Sequence, residues 1–533
     1  MPLQTAYNRD YFSPHLVFLG ALLSTSFIYP VILAALLSAC VSTPPPKLQF
    51  ALEAISLYSS DYEDGTEIIT VQASTLRAAV SNSKTGEVDI LDISNPHKLK
   101  RLARFNLQLQ TSEELTSIDF HPSLDMFAAV INAGLNRGRL QLHSASTGTL
   151  LESTQVGFGP DSIVFAKQGH IALIANEGED FWFDPKNKQF LSAEGSISIV
   201  HINKTGQISA HNELALADIT NHEGFFILTN GRYLKREIDW NGDQIISHTQ
   251  DFNNDGLINN KKVLLGSFEG HSVFGNELKG EASILIPIKS YSPALLEPEY
   301  IAISPDAKRA YVTLQEENAV AVVDLNTEKI IRYFNLGTTE HLMDSHADGW
   351  VQFDQSQTST REPDGITTIA NGRFFVTADE GDVDFATKEP EDNILSGGRS
   401  VSVFDAYSGD FIGDTDNQLD EIAYQHNVYP ELRSQKKGTE PEMVVGFEMA
   451  GKDYVVVDLE RAGAIVLIDM SNPAQPKAIA LGKIPGDEEK SPEGIAHFTI
   501  DREHYILTAN EMSGTVACFK ISTKNQKGYN KIS

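Results

Sequence analysis

Ala78-Ala79-Val80-Ser81-Asn82, followed after a short corner by Gly86-Glu87-Val88-Asp89-Ile90-Leu91-Asp92, is the stretch that decides the fold. A small apolar run, a polar corner and an alternating apolar strand describe an antiparallel hairpin. The pattern returns at residues 128–142, 172–200 (with a loop inserted), 310–323, 374–404, 454–468 and 505–519, seven copies in all. Ahead of most copies an acid precedes a short apolar strand. The examples are Pro160-Asp161-Ser162-Ile163, Glu297-Pro298-Glu299-Tyr300-Ile301, Glu362-Pro363-Asp364-Gly365-Ile366, Glu440-Pro441-Glu442-Met443-Val444 and Ser491-Pro492-Glu493-Gly494-Ile495. The first copy has the looser Glu67-Ile68-Ile69, and the second has Thr116-Ser117-Ile118 with no acid. A fourth strand often follows, as at residues 329–336 and 477–484.

Four strands repeated radially make a propeller blade, so the expected fold is an all-β, seven-bladed β-propeller spanning residues 48–521. The seventh unit ends after its third strand. The apolar segment 48–58 is free to supply the missing outer strand and close the ring, with no open edge left between first and last blades. Uneven spacing predicts a long insertion between blades three and four, at residues 201–290. Shorter ones fall between Asp382 and Gly397 and around residues 414–437. A polar tail, residues 522–533, follows.

The 533 residues are 41% hydrophobic and 21% charged, a globular composition. A net charge of −30 repels phosphate backbones and excludes nucleic acid as a natural partner, while cations are attracted. Two cysteines, Cys40 and Cys518, exclude a disulfide framework and a cysteine-rich zinc site. Residues 1–39 read as an export signal whose apolar run ends in Leu37-Ser38-Ala39-Cys40. That ending resembles a bacterial lipobox, in which the cysteine is acylated. Residues 40–47 are then a lipidated Cys40 and a stiff Pro44-Pro45-Pro46 spacer. A membrane-spanning anchor would need about 20 unbroken apolar residues, and Pro30 interrupts the run. The expected location is the cell envelope, tethered to a membrane by lipid, and the outer membrane in a Gram-negative host.

Several motifs resemble the choice-of-anchor I domain family. They are Ala175-Asn176-Glu177-Gly178-Glu179, Glu297-Pro298-Glu299, Tyr311-Val312-Thr313-Leu314-Gln315-Glu316, Gly397-Gly398-Arg399-Ser400, Glu440-Pro441-Glu442, Leu459-Glu460-Arg461 and Ala509-Asn510-Glu511. The resemblance runs from about residue 50 to about 521. It implies a surface-anchored protein, similar to mesenchyme-specific cell-surface glycoproteins. Some members carry the label alkaline-phosphatase-like, without a catalytic residue to transfer. Here Asp379-Glu380 stands where the pattern has Asn-Glu.

Three constellations carry candidate chemistry. In Asp251-Phe252-Asn253-Asn254-Asp255-Gly256-Leu257-Ile258-Asn259, residues Asp251, Asn253, Asp255, Leu257 and Asn259 match the first ligand positions of an EF-hand-type calcium loop, with Gly256 at the sharp turn. Lys262 stands where the bidentate Glu belongs. Asp239, Asn241 and Asp243 form a half-match ahead of it. The alternative is a polar hairpin without metal. Second, Glu67, Asp161, Glu299, Asp364, Glu442 and Glu493 precede the inner strands and should ring one mouth of the central channel. They either hold a second divalent metal or cap their own blade turns. Third, Arg361, Arg399, Arg461 and Lys437 lie beside acids. Arg399 and Arg461 are possible anion contacts, the alternative being ion pairs between blades.

No Gly-x-Ser-x-Gly elbow, His-Glu-x-x-His motif or P-loop is present. Two readings follow. One is a calcium-binding propeller serving as a surface scaffold for an unidentified partner or small ligand. The other is a metal-dependent phosphoesterase acting at the acidic mouth. The missing nucleophile favours binding.

Overall fold

A computed structural model of the chain describes residues 48–184, 189–216, 263–268, 271–276, 281–284, 296–381, 394–395, 397–486 and 489–525. Seven four-stranded sheets dominate it. From inside outwards, blade one is Ile69–Gln72, Arg77–Asn82, Glu87–Asp92 and Lys100–Asn106. Blade two is Glu114–Phe120, Met126–Ala133, Asn136–Ser144 and Leu150–Phe158, and blade three is Pro160–Ala166, Ile171–Asn176, Ser196–Ile202 and Ile208–Ala215. Blade four is Pro298–Ile303, Arg309–Leu314, Ala319–Asp324 and Lys329–Asn335, and blade five is Ile366–Ile369, Phe374–Asp379, Ser400–Asp405 and Phe411–Asp414. Blade six is Pro441–Met449, Lys452–Leu459, Ala464–Asp469 and Lys477–Lys483. Blade seven takes Pro492–Ile500, Glu503–Asn510 and Thr515–Asn525, and its outer strand is the N-terminal Leu48–Ser59. The ring therefore closes as the sequence predicts.

The second strands explain the small apolar runs. Ile171–Asn176 and Phe374–Asp379 are buried at every position, because a neighbouring blade lies against each face. The core is accordingly seven apolar clusters, each shared by two adjacent blades. Val455 and Val466 of blade six meet Val376 of blade five, and Tyr505 and Leu507 of blade seven meet Ala78 and Val80 of blade one. Each inner strand also touches the inner strands on both sides of it, so the seven complete a ring.

Two boundaries differ from expectation. The insertion expected at residues 201–290 begins later, because Ser196–Ile202 and Ile208–Ala215 are the outer strands of blade three. The tail expected from residue 522 also begins later, since Thr515–Asn525 is one strand. Within the expected insertion, Val263–Phe268, His271–Asn276 and Glu281–Ile284 pair as a small sheet. The loop after blade five carries a helix, Gln418–Gln425. Gln49–Lys524 form one compact unit, and the other unit, Met1–Leu48 with Asn525–Ser533, lies almost wholly outside the described residues. Among the described residues no helix is long and apolar enough to cross a membrane.

Candidate functional site

Five of the six predicted mouth acids follow a proline, and the backbone shows what that pair does. Pro160 pairs with Asn176 and Ser162 with Ala175, so Asp161 stands between them as a β-bulge. The register shifts in the same way across Glu299, Glu442 and Glu493. It also shifts across Thr116, which carries no charge and whose hydroxyl donates to the Pro160 carbonyl at 2.5 Å. A bulge re-aims the side chain it carries. The residue before the proline is left-handed in four blades: Gly159 (φ 50°), Glu362 (φ 48°), Glu440 (φ 52°) and Ser491 (φ 42°). For a residue ahead of proline, and for anything but glycine, this is uncommon. The conformation turns that residue's carbonyl towards the end of the second strand. There Glu177, Glu460 and Glu511 donate their amides to Gly159, Glu440 and Ser491, each at 2.8 Å, and Gly381 donates to Glu362 at 3.1 Å.

This hairpin geometry sets a second acid beside the first in several blades. Glu177, Glu380, Glu460 and Glu511 lie at the corners next to Asp161, Asp364, Glu442 and Glu493. In the sequence Glu177, Glu460 and Glu511 stand within motifs of the family resemblance and not among the expected mouth acids. The signal that identifies them was present, because an antiparallel hairpin returns the end of its second strand to the start of its first.

The crowding is electrostatically severe. Burial, then Glu511, pushes Glu493 up to about 10. Burial raises Glu67 to about 8, Glu460 to about 8 and Asp161 to about 6. Glu299, Asp364 and Glu442 are held well above the usual carboxylate range, by burial first and then by neighbouring acids. Asp161 and Glu299 still keep part of their surface open to water at the mouth.

The six predicted mouth acids do not converge on one point. Two separate trios form instead, each with carboxylate oxygens within 4.8 Å of one another: Asp364, Glu380 and Glu442, and Glu67, Glu493 and Glu511. In the first trio, Asp364 is 4% exposed, and its Oδ2 and the Glu442 Oε2 are sealed from water without a donor. Lys437 reaches in from the loop after blade five. Its buried ammonium donates to Glu380 and, at 2.9 Å, to the Gly381 carbonyl. In the second trio the Ser83 hydroxyl donates to Glu67.

The arginines are engaged with carbonyls and neighbouring acids. Arg399, buried, donates to the carbonyls of Asp344 (3.1 Å), Ser434 (2.6 Å) and Lys436 (2.5 Å) and pairs with Asp420. It fastens the helix-bearing loop. Arg461 joins Glu440 at 2.6 Å and Glu460 at 2.8 Å. Arg361 stacks on Phe411 and donates to the carbonyls of Leu336 and Thr338, both at 2.7 Å. The Arg399 guanidinium is spent on these carbonyls and Asp420, while Arg461 is held by Glu440 and Glu460 with its side chain part-exposed. Cys40 and the predicted calcium ligands Asp239, Asn241, Asp243, Asp251, Asn253, Asp255, Leu257 and Asn259 lie outside the described residues.

The choice-of-anchor I domain family matches the chain over residues 67–256, 279–394 and 383–473. Among solved structures, the chain is similar to the C-terminal WD40 domain of Sif2, at 10% identity and TM-score 0.43, covering 89% of this chain and 99% of that one. It is also similar to Kuenenia stuttgartiensis hydrazine synthase (10%, TM-score 0.46, 88% and 97% covered). A third is the β-propeller domain of Cps50 (Swd1) from Myceliophteria thermophila (8%, TM-score 0.47, 88% and 100% covered). No curated protein matches the chain in sequence.

Proposed function

The chain belongs to the choice-of-anchor I domain family, and from that premise we propose that it is a surface-associated propeller that binds hard divalent cations and serves as a scaffold. Acylation of Cys40 would supply the membrane tether. Calcium would order the insertion through the Asp251 loop, with the Asp239 half-loop beside it. A second cation would sit at the acidic mouth, and an extracellular partner or small ligand would dock on the loop-decorated face. The observation that carries the reading is the doubled set of carboxylates, which burial first and neighbouring acids next hold above their normal range. Oxygen-only donor sets suit calcium, magnesium or manganese. The commitment of Arg399 and Arg461 to carbonyls and glutamates favours binding over phosphoryl chemistry.

The test is metal analysis of the full chain purified without chelator. Calcium present in the wild type and diminished in Asp251→Ala/Asp255→Ala is the expected result. A chain that carries no divalent metal, and takes up none on titration, would sink the proposal.

A further inference from the structure

We propose that Asp364, Glu380 and Glu442, at the seam of blades five and six, form one divalent-cation site, with Lys437 as its built-in counter-charge. The inference rests on the cation-binding reading above and assigns it to particular residues. The three carboxylates come from three places: the turn ahead of blade five's inner strand, the corner after its second strand and the bulge of blade six. Their oxygens nevertheless lie within 4.8 Å of one another. The Gly365 amide donates to the Glu442 carbonyl at 3.0 Å, and a Cβ on Gly365 would stand 2.6 Å from that oxygen, so the backbones carrying Asp364 and Glu442 have a fixed spacing. Gln315 Nε2 donates to Glu380 Oε2 at 2.8 Å and Lys437 to Oε1.

Part of the trio remains unsatisfied. Asp364 Oδ2 and Glu442 Oε2 are cut off from water, and no N–H or hydroxyl group donates to either; Asp364, 4% exposed, has the Glu442 carboxyl as its side-chain hydrogen-bond neighbour. Buried carboxylate oxygens without partners are expensive, and they persist where a ligand completes them. The formal charges agree. Three carboxylates and one ammonium leave two negative charges, which one divalent cation balances. The donors are all hard oxygens, which selects calcium, magnesium or manganese over softer metals. The trio of Glu67, Glu493 and Glu511 is less complete, because all three keep solvent contact and the Ser83 hydroxyl already serves Glu67.

The test uses full-length protein carrying Asp251→Ala/Asp255→Ala, which silences the expected calcium loop, and manganese(II) as the probe, read by electron paramagnetic resonance. The expected result is one tightly bound manganese that calcium displaces. It is lost when Asp364→Asn/Glu442→Gln is added and retained when Glu67→Gln/Glu493→Gln is added instead. In chelator, the Asp364→Asn/Glu442→Gln chain should melt at or above the temperature of its parent, because amides of the same shape relieve like-charge repulsion. Should the pair of amides prevent folding, Asp364→Asn alone must weaken manganese binding. Retention of manganese in the Asp364/Glu442 variant, or its loss only in the Glu67/Glu493 variant, overturns the assignment. If the loop-silenced chain binds none while the wild type does, the cation reading survives and this site falls. If neither binds, both fall.

Discussion

Lys437 shows how one side chain can set the character of a site. The residue is 1% exposed, and the attraction of Glu380, Glu440 and Glu442 outweighs burial and raises its pKa. Removing one partner of a buried pair leaves the other charge uncompensated, at a cost of about 3–5 kcal/mol. In chelator, Lys437→Met should therefore destabilise the protein by about that much, read from urea midpoints. Saturating manganese or calcium should recover part of the loss, because a cation can take the place of the ammonium beside Glu380. A loss of equal size with and without cation would mean that Lys437 only closes the loop. This residue was legible in sequence as a base near the Glu440 turn, but its target was not. The partners of Arg399 were illegible for the same reason. Adjacency to Gly397-Gly398 says nothing about which carbonyls a guanidinium will reach once the loop folds back, and those of Ser434 and Lys436 lie about 35 residues away in the chain.

At the scale of elements, the seam between blades six and seven carries a pH dependence of its own. His497 stacks on Phe447, ring centroids 4.3 Å apart, and its Nε2 shares a hydrogen bond of 3.0 Å with His504 Nδ1. Burial, then the neighbouring His504, depresses His497 from 6.5 to about 4. His504 is also held down by burial, with Glu503 pulling the other way. A histidine whose folded pKa is depressed favours the fold while neutral. Its contribution is therefore complete above the unfolded value of 6.5 and is lost as pH falls from there towards about 4. Wild-type melting temperature should drop across that window more steeply than that of His497→Gln. Parallel slopes for the two proteins would show that this pair does not titrate with unfolding.

For the molecule as a whole, the blades were legible because a strand packed between neighbouring blades is covered on both faces and reads as a short, nearly continuous apolar run. The strand misassigned to the insertion shows the limit of that rule. Ile208–Ala215, reading Ile-Ser-Ala-His-Asn-Glu-Leu-Ala, is an outer strand exposed along most of its length, so nothing forces it to look like a strand. The two trios were half legible. Asp364, Glu442 and Glu493 stood out beside prolines and Glu67 in a looser copy of the repeat, but the corner partners Glu380 and Glu511 required the hairpin register. Closure was fully legible, because Leu48–Ser59 is apolar where blade seven lacks a strand, and it yields the last prediction. Leu52 is buried among Phe519, Ile521 and the residues of blade six, and Phe50 meets the Tyr454 ring at 5.5 Å. A chain beginning at residue 60 would expose the ladder of Thr515–Asn525 as a long edge and open the seam between the last blade and its neighbours. Its loss of stability should exceed the roughly 2–5 kcal/mol of a single buried Leu→Ala change, and it should self-associate through the bare edge. A chain beginning at residue 48 should remain monomeric, and the peptide 48–59 added in trans should partly restore the shorter chain. If the shorter chain stayed monomeric with an unchanged melting temperature, the N-terminal strand would be an ornament on an already closed ring, and the seam between blades six and seven would have to be held by inner-strand contacts alone.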